Sequence, residues 1–262
     1  MIERWLEANR RLSARIASRW PYERGGSIGD RYVERAARLA ADASPRRIVD
    51  VGAGRDTPYV RAVADRSDVT IVGIDVLPDD LEDNDALDVR IEADVVKDGL
   101  PARAGNAGLL TSRMVVEHLE DLDRFAAEVY DALAPGARTL HLFAARYSVF
   151  AILNRILPEA VARRVLFYLR PAAQDVCGFV THYDHTHDSG ARAAFRRAGF
   201  ERVTTDVSYN VSPYFAFFVP LFVVARLWES LLRRLRLRNL GAYVLLYAEK
   251  PGGAADGEDT AS

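Results

Sequence analysis

The sequence predicts an α/β fold, a doubly wound and mostly parallel sheet with helices on both faces. Three observations lead there. Short Val- and Ile-rich runs alternate with stretches whose apolar residues recur at helical spacing. The first run, Arg47-Ile48-Val49-Asp50-Val51, breaks abruptly into Gly52-Ala53-Gly54, a turn that a Cβ would obstruct. Polar or acidic residues (Asp50, Asp75, Asp94 and Ser112) then fall at the ends of successive runs, where open sheets bind ligands.

Residues 1–44 read as an N-terminal helical cap. Its first helix is amphipathic, with Trp5, Leu12 and Ile16 on one side and Arg10, Arg11, Arg15 and Arg19 largely elsewhere, and no hydrophobic signal core. The main domain is expected over 45–250. After the first strand, Thr57-Pro58 looks like an N-cap followed by proline at the first helical position. Residues 69–75 and 89–95 supply two more β-branched runs, and a fourth starts near Leu109. Asp121 caps a helix with Leu122, Phe125, Ala126, Val129 and Leu133 on one stripe, stopped by Pro135-Gly136. A fifth strand over 137–143 would bury His141. Asp188 caps a helix carrying Ala191, Ala194, Phe195 and Ala198, with Gly199 as its stop. The tail 251–262 is small and acidic and is expected to be disordered.

A glycine turn between strand and helix makes a nucleotide crevice. Two details separate the candidate nucleotides. A dinucleotide fingerprint wants Gly or Ala where Thr57 stands. Asp50, two residues before the first glycine, would repel a pyrophosphate and attract an ammonium. S-adenosylmethionine (SAM) has no phosphate and carries both an ammonium and a sulfonium. Asp75, 21 residues beyond Gly54, is placed to accept hydrogen bonds from ribose hydroxyls.

From this point the chain resembles the class I SAM-dependent methyltransferases, in their small-molecule and lipid-modifying branch. The resemblance runs in order through Asp50–Gly54, Asp75, the run Val89-Arg90-Ile91-Glu92-Ala93-Asp94-Val95, then Glu117-His118-Leu119, Ala134-Pro135-Gly136 and Ala198-Gly199-Phe200-Glu201. It covers 45–145 well and 180–250 loosely. It implies a Rossmann-like, seven-stranded sheet with SAM as cofactor, held by Asp50, Gly52, Ala53, Gly54, Asp75, Val76, Asp94, Val95 and Ser112. Asp94 would hold the adenine amino group. His118, beside the transferred methyl, is the candidate general base. His182 and Tyr183, in a loop similar to the family's Tyr-containing loop, are candidates for orienting the substrate, and Tyr214 for lining its pocket. The group His182, His185 and His187 could suggest a metal, but the family's loop explains the segment without one, so no metal is expected.

Two segments, 146–171 and 213–238, stand outside the minimal pattern as amphipathic helical insertions. Each holds five arginines and one glutamate, so the net charge of −2 leaves about −10 on the rest. They fit three readings: lids with solvated arginines, peripheral docking on an anionic membrane surface, or recognition of an anionic substrate. The apolar stretch 207–225 is interrupted by Ser208, Asn210, Pro213 and Pro220, so a spanning helix is not expected. Phe150, Leu153, Phe167, Phe215, Phe218 and Trp228 join Tyr214 as pocket candidates.

The expected function is methyl transfer from SAM to a hydrophobic or lipid-linked small molecule, on oxygen. A membrane-associated SAM-binding protein without turnover and an NAD(P)-linked oxidoreductase remain as alternatives. The charge balance gives no pull toward nucleic acid, and no obligate protein partner is evident. The lone Cys177 fits a reducing cytosol, so the expected location is cytoplasmic, with peripheral contact at the inner membrane surface.

Overall fold

The computed structural model describes residues 1–20, 26–62, 68–148, 151–152 and 181–252. Beyond Ile152, the insertion 146–171 lies outside the described residues. So do Phe150, Cys177 and the tail beyond Gly252.

Seven strands form one sheet: β1 Arg47–Val51, β2 Thr70–Asp75, β3 Val89–Glu92, β4 Ala107–Arg113, β5 Leu133–Ala144, β6 Glu201–Ser208 and β7 Tyr243–Glu249. Their order is β3-β2-β1-β4-β5-β7-β6. The pairs from β3 through β5 are parallel, and β7 runs antiparallel to both β5 and β6. The chain winds outward from β1 in one direction and from β4 in the other. The crevice at this reversal is where such sheets place ligands.

Both faces are buried, which is why β1, β2 and β4 are apolar almost throughout. One face presents Val49, Val51, Val72, Ile74 and Leu110 to α4 (Leu122–Ala132) and a helix over Asp188–Arg197. The other presents Ile48, Leu109, Leu140 and Leu245 to α2 (Ile28–Ala41), which follows α1 (Ile2–Arg19). α2 buries Ile28, Tyr32, Ala36, Leu39 and Ala40, spaced one turn apart, and opens with a full Ser27/Asp30 capping box. The expected cap over 1–44 is therefore divided: α2 is a layer of the core, while α1 lies elsewhere. A short α3 (Pro78–Glu82) follows β2. The helix Asp188–Arg197 is α5, and Val219–Arg234 is α6.

Several local expectations hold. Asp121 caps α4, its Oδ1 accepting from Arg124 N at 2.9 Å. Gly199, at φ +102°, sits just past the end of α5. Three differ. α4 stops at Ala132, so Leu133 belongs to β5 and Pro135-Gly136 lies within that strand rather than ending the helix. Asp188 is the first residue of α5 and His187 its N-cap; the Asp188 carboxylate instead accepts from Thr205, Arg192 and Arg238. After Thr57 the described turn is a 3-10 helix, Pro58–Ala62, and the Thr57 hydroxyl is used elsewhere.

Candidate functional site

The carboxyl ends of β1, β2 and β4 meet around the glycine turn. Gly52 (φ +71°) and Gly54 (φ +52°) carry the chain back from β1. Gly52 N and Ala53 N donate to Ile74 O at 2.8 and 3.2 Å, stitching the turn to β2. A Cβ on Gly52 would stand 2.3 Å from Val115 Cγ2, whereas one on Gly54 would meet nothing within 4 Å. The turn is thus closed on its inner side and open on its outer side. Asp75, half-buried at the end of β2, accepts from Gly54 N (2.9 Å) through Oδ2 and from Leu77 N (3.0 Å) through Oδ1. Val76 beside it is also half-buried.

Asp50, within β1, is buried in a polar cluster. Thr111 Oγ1 donates to its Oδ1 at 2.7 Å, and Tyr59 OH lies 2.5 Å from the same hydroxyl. Tyr32 from α2 meets the Tyr59 ring edge-on at 6.2 Å. Burial pushes the Asp50 pKa up to about 6, against hydrogen bonds from Thr111, Thr57 and Tyr59 and the positive charge of Arg113. Thr57 Oγ1 in turn accepts from Asn84 Nδ2 at 3.1 Å, and the same amide donates to Gly54 O at 3.0 Å. The carboxylate, the glycine turn and the loop after α3 thus form one network.

After β3, Asp94 accepts from Val96 N (3.2 Å), and Lys97 Nζ at 2.8 Å holds its carboxyl below the usual range. Val95, Leu119 and Phe125 help line a cavity of about 190 Å³ between the loops after β3 and β4. Ser112 lies near the end of β4. Its side chain is fully buried, and Oγ lies 2.7 Å from His141 Nδ1. His141 Nε2 meets Thr139 Oγ1 at 2.6 Å, and that hydroxyl donates to Leu110 O. Nε2 therefore carries the proton and Ser112 donates to Nδ1. Burial pushes the His141 pKa down to about 3, so the imidazole is neutral. The Ser112 hydroxyl is thus committed to His141.

The loop after β4 opens the other half of the edge. Val116–His118 forms a single 3-10 turn. Glu117 is buried within it, and its Oε1 accepts from Ala144 N at 3.4 Å. Its Oε2 is buried with no hydrogen-bond partner among the described residues. Burial pushes its pKa up to about 8, so the carboxyl is largely protonated at neutral pH. The backbone oxygen of Glu117 accepts from His182 N (3.0 Å) and Tyr183 N (3.1 Å), pinning that loop beside His118, which is half-buried. His182 Nε2 lies 3.6 Å from Glu120 Oε1. Tyr183 packs with Ala144, Ala151 and Tyr243, and Tyr243 shares a hydroxyl contact with Tyr214. The structure therefore brings His118, His182, Tyr183 and Tyr214 to one end of the edge and Asp50, Asp75 and Asp94 to the other. Sequence reasoning did not single out Tyr32, Tyr59, Thr111 or Arg113, and left Glu117 without a role. Of these, only Glu117 carried a local signal, its place beside His118.

The comparisons with known proteins agree with this geometry. Residues 25–205 match a family model described as "Methyltransferase domain". A SAM-dependent methyltransferase from Archaeoglobus fulgidus superposes with a TM-score of 0.51 at 16% identity, covering 86% of this chain and 95% of that one. One from Mesorhizobium loti gives 0.51 at 19% identity, covering 83% and 100%. The [4+2]-cyclase SpnF gives 0.51 at 18% identity, covering 86% and 82%. No curated protein matches this chain. The chain belongs to the class I SAM-dependent methyltransferase family, with SAM as its cofactor, which sets aside the NAD(P)-linked alternative.

Proposed function

We propose that this methyltransferase acts on the oxygen of a hydrophobic or lipid-linked small molecule. The observation that carries the reading is the aromatic wall of Tyr183, Tyr243 and Tyr214 beside Glu117 and His118, which gives the acceptor end an apolar lining with few charges. The residues at the donor end fit SAM. The glycine turn is open outward at Gly54, where a backbone-lined cradle has free space. Asp75 keeps lone pairs for ribose hydroxyls after accepting from Gly54 and Leu77. Asp94 and Val95, with Val76, would hold the adenine. Asp50 would supply the charge that favours an ammonium, acting from within its hydroxyl cluster.

When bound, SAM supplies a methyl group on a sulfonium that leaves as a neutral thioether. The protein's part is then alignment, exclusion of water and management of one proton. His118 would accept the proton of the acceptor hydroxyl as the new O–C bond forms. Glu117, neutral and fixed behind it, would hold the loop in place through its backbone oxygen.

Incubation with methyl-labelled SAM and fractionated lipid or metabolite extracts tests the reading. Label is expected in an organic-extractable product, as a methyl ester or ether, with S-adenosylhomocysteine released in equal amount. Label appearing only in polar amines, or SAM bound without turnover against any fraction, would overturn it.

A further inference from the structure

α6 is wired inside out. The only charged residues between Val219 and Leu232 are Arg226 and Glu229, and both are buried. Glu229 Oε1 accepts from Val211 N (2.7 Å) and Ser212 N (2.5 Å), and its Oε2 lies 3.5 Å from Arg226 Nη1. Arg226 also donates to Trp20 O at the end of α1. The opposite face is apolar and exposed. Leu221, Val224, Leu227, Trp228 and Leu231 are each 38 to 60% exposed, and Leu235 just past the helix end is 57% exposed. Their spacing of three and four residues makes one continuous stripe.

The stripe does not end with α6. Phe218, also exposed, meets the Trp5 ring of α1 at 6.1 Å, and Ile2 is exposed one turn before Trp5. Val219 N donates to Asn9 Oδ1 and Ser13 Oγ donates to Ala216 O, so the two helices are joined along this seam. Exposed basic side chains stand on the same two elements: Arg4, Arg15 and Arg19 on α1, with Arg234 at the end of α6 and Arg236 just beyond it. An apolar face of this breadth on a water-soluble surface marks an interaction site.

We propose that the α1–α6 face docks in the interface of an anionic bilayer, with the stripe in the acyl boundary and the arginines on the headgroups. Charge selects this occupant over a second copy of the chain. Two copies would bring the same arginine rims together, whereas anionic lipid complements them. No helix among the described residues is long and apolar enough to cross a membrane, so the contact is peripheral. The turn Ser212–Phe215, which carries Tyr214 to the acceptor end, leads directly into α6. A lipid acceptor would therefore have a short path from the bilayer to the site. That last step rests on the proposed function; the docking does not.

Vesicle co-sedimentation of the full chain tests it. Binding is expected to phosphatidylcholine vesicles containing phosphatidylglycerol, to fall with added salt, and to be accompanied by a blue shift of tryptophan emission. The double substitution Val224→Glu with Leu231→Glu should lower partitioning by about tenfold or more while leaving SAM affinity intact, which reports that the protein is still folded. Substituting Arg234→Ser and Arg236→Ser should lower it several-fold and flatten the salt dependence. Equal binding to vesicles without anionic lipid would overturn the proposal. So would unchanged binding by the double variant, or a self-association that this variant abolishes in a protein that ignores vesicles. Vesicle binding without methyl transfer would leave the docking standing and remove only the proposed acceptor.

Discussion

The two halves of the sheet's carboxyl edge are built on opposite rules. In the half proposed to hold SAM, acids are committed to neighbours. Asp75 is held by two backbone amides, Asp94 by its own turn and Lys97, and Asp50 by a cluster of hydroxyls. In the half proposed to hold the acceptor, the buried acid is Glu117, with one oxygen bonded to Ala144 N and the other without a partner among the described residues. Its backbone oxygen accepts from His182 and Tyr183, and Tyr183 packs with Tyr243. A ligand that never changes can be met by a cradle whose polar groups are fixed in advance, because fixing them beforehand removes an ordering cost on binding. On the proposed reading, an apolar acceptor is met by shape and burial instead, beside a carboxyl that burial keeps neutral.

This contrast can be broken from either side. The largest effect is expected from His118→Ala. It should lower kcat by about 100-fold through loss of general-base catalysis, with SAM affinity by titration unchanged; an equal loss in SAM affinity would mean that the halves are not separable. Next comes Asp50→Asn, chosen over alanine because the amide oxygen still accepts from the hydroxyls that alanine would strand. SAM affinity should fall about tenfold, equivalent to ~1.4 kcal/mol. The pH dependence sharpens this. With its pKa near 6, Asp50 is charged at pH 7.5 and gains a proton as pH falls, so wild-type affinity should weaken below about pH 6 while the variant stays flat. The smallest change should come from Glu117→Gln, read in stability. The folded carboxyl holds its proton up to about pH 8 and the unfolded one only to about 4.5. The folded state therefore binds the extra proton between those values, and wild-type Tm should decline as pH rises through that window. The glutamine variant, neutral throughout, should show a shallower decline. Parallel Tm profiles would remove Glu117 from the account.

Much of the donor half was legible because its signals are local. The β1 strand, its glycine turn and the acid ending β2 lie within 29 residues, and each states its own geometry. What escaped was direction. In a sheet buried on both faces, polarity does not alternate, so nothing in 107–113 shows that Ser112 turns toward His141 and Thr111 toward Asp50. The partners of Asp50 come from three separate segments, and only folding brings Tyr32, Tyr59 and Thr111 together. Asp188 shows the same limit. It reads as a helix cap because aspartate commonly is one, yet Arg238, 50 residues away, claims its carboxylate. α6 was legible as amphipathic, but which face would turn outward was not, since arginine and glutamate conventionally mark the wet side.

The Arg226–Glu229 pair joins three separate pieces of chain at a single rivet. Glu229 clasps the backbone ahead of Tyr214, and Arg226 clasps the last turn of the first helix. Neither piece can shift alone without stranding a charge away from water, which is costly. A pull felt along α6 is therefore delivered, nearly rigidly, to the turn that carries Tyr214.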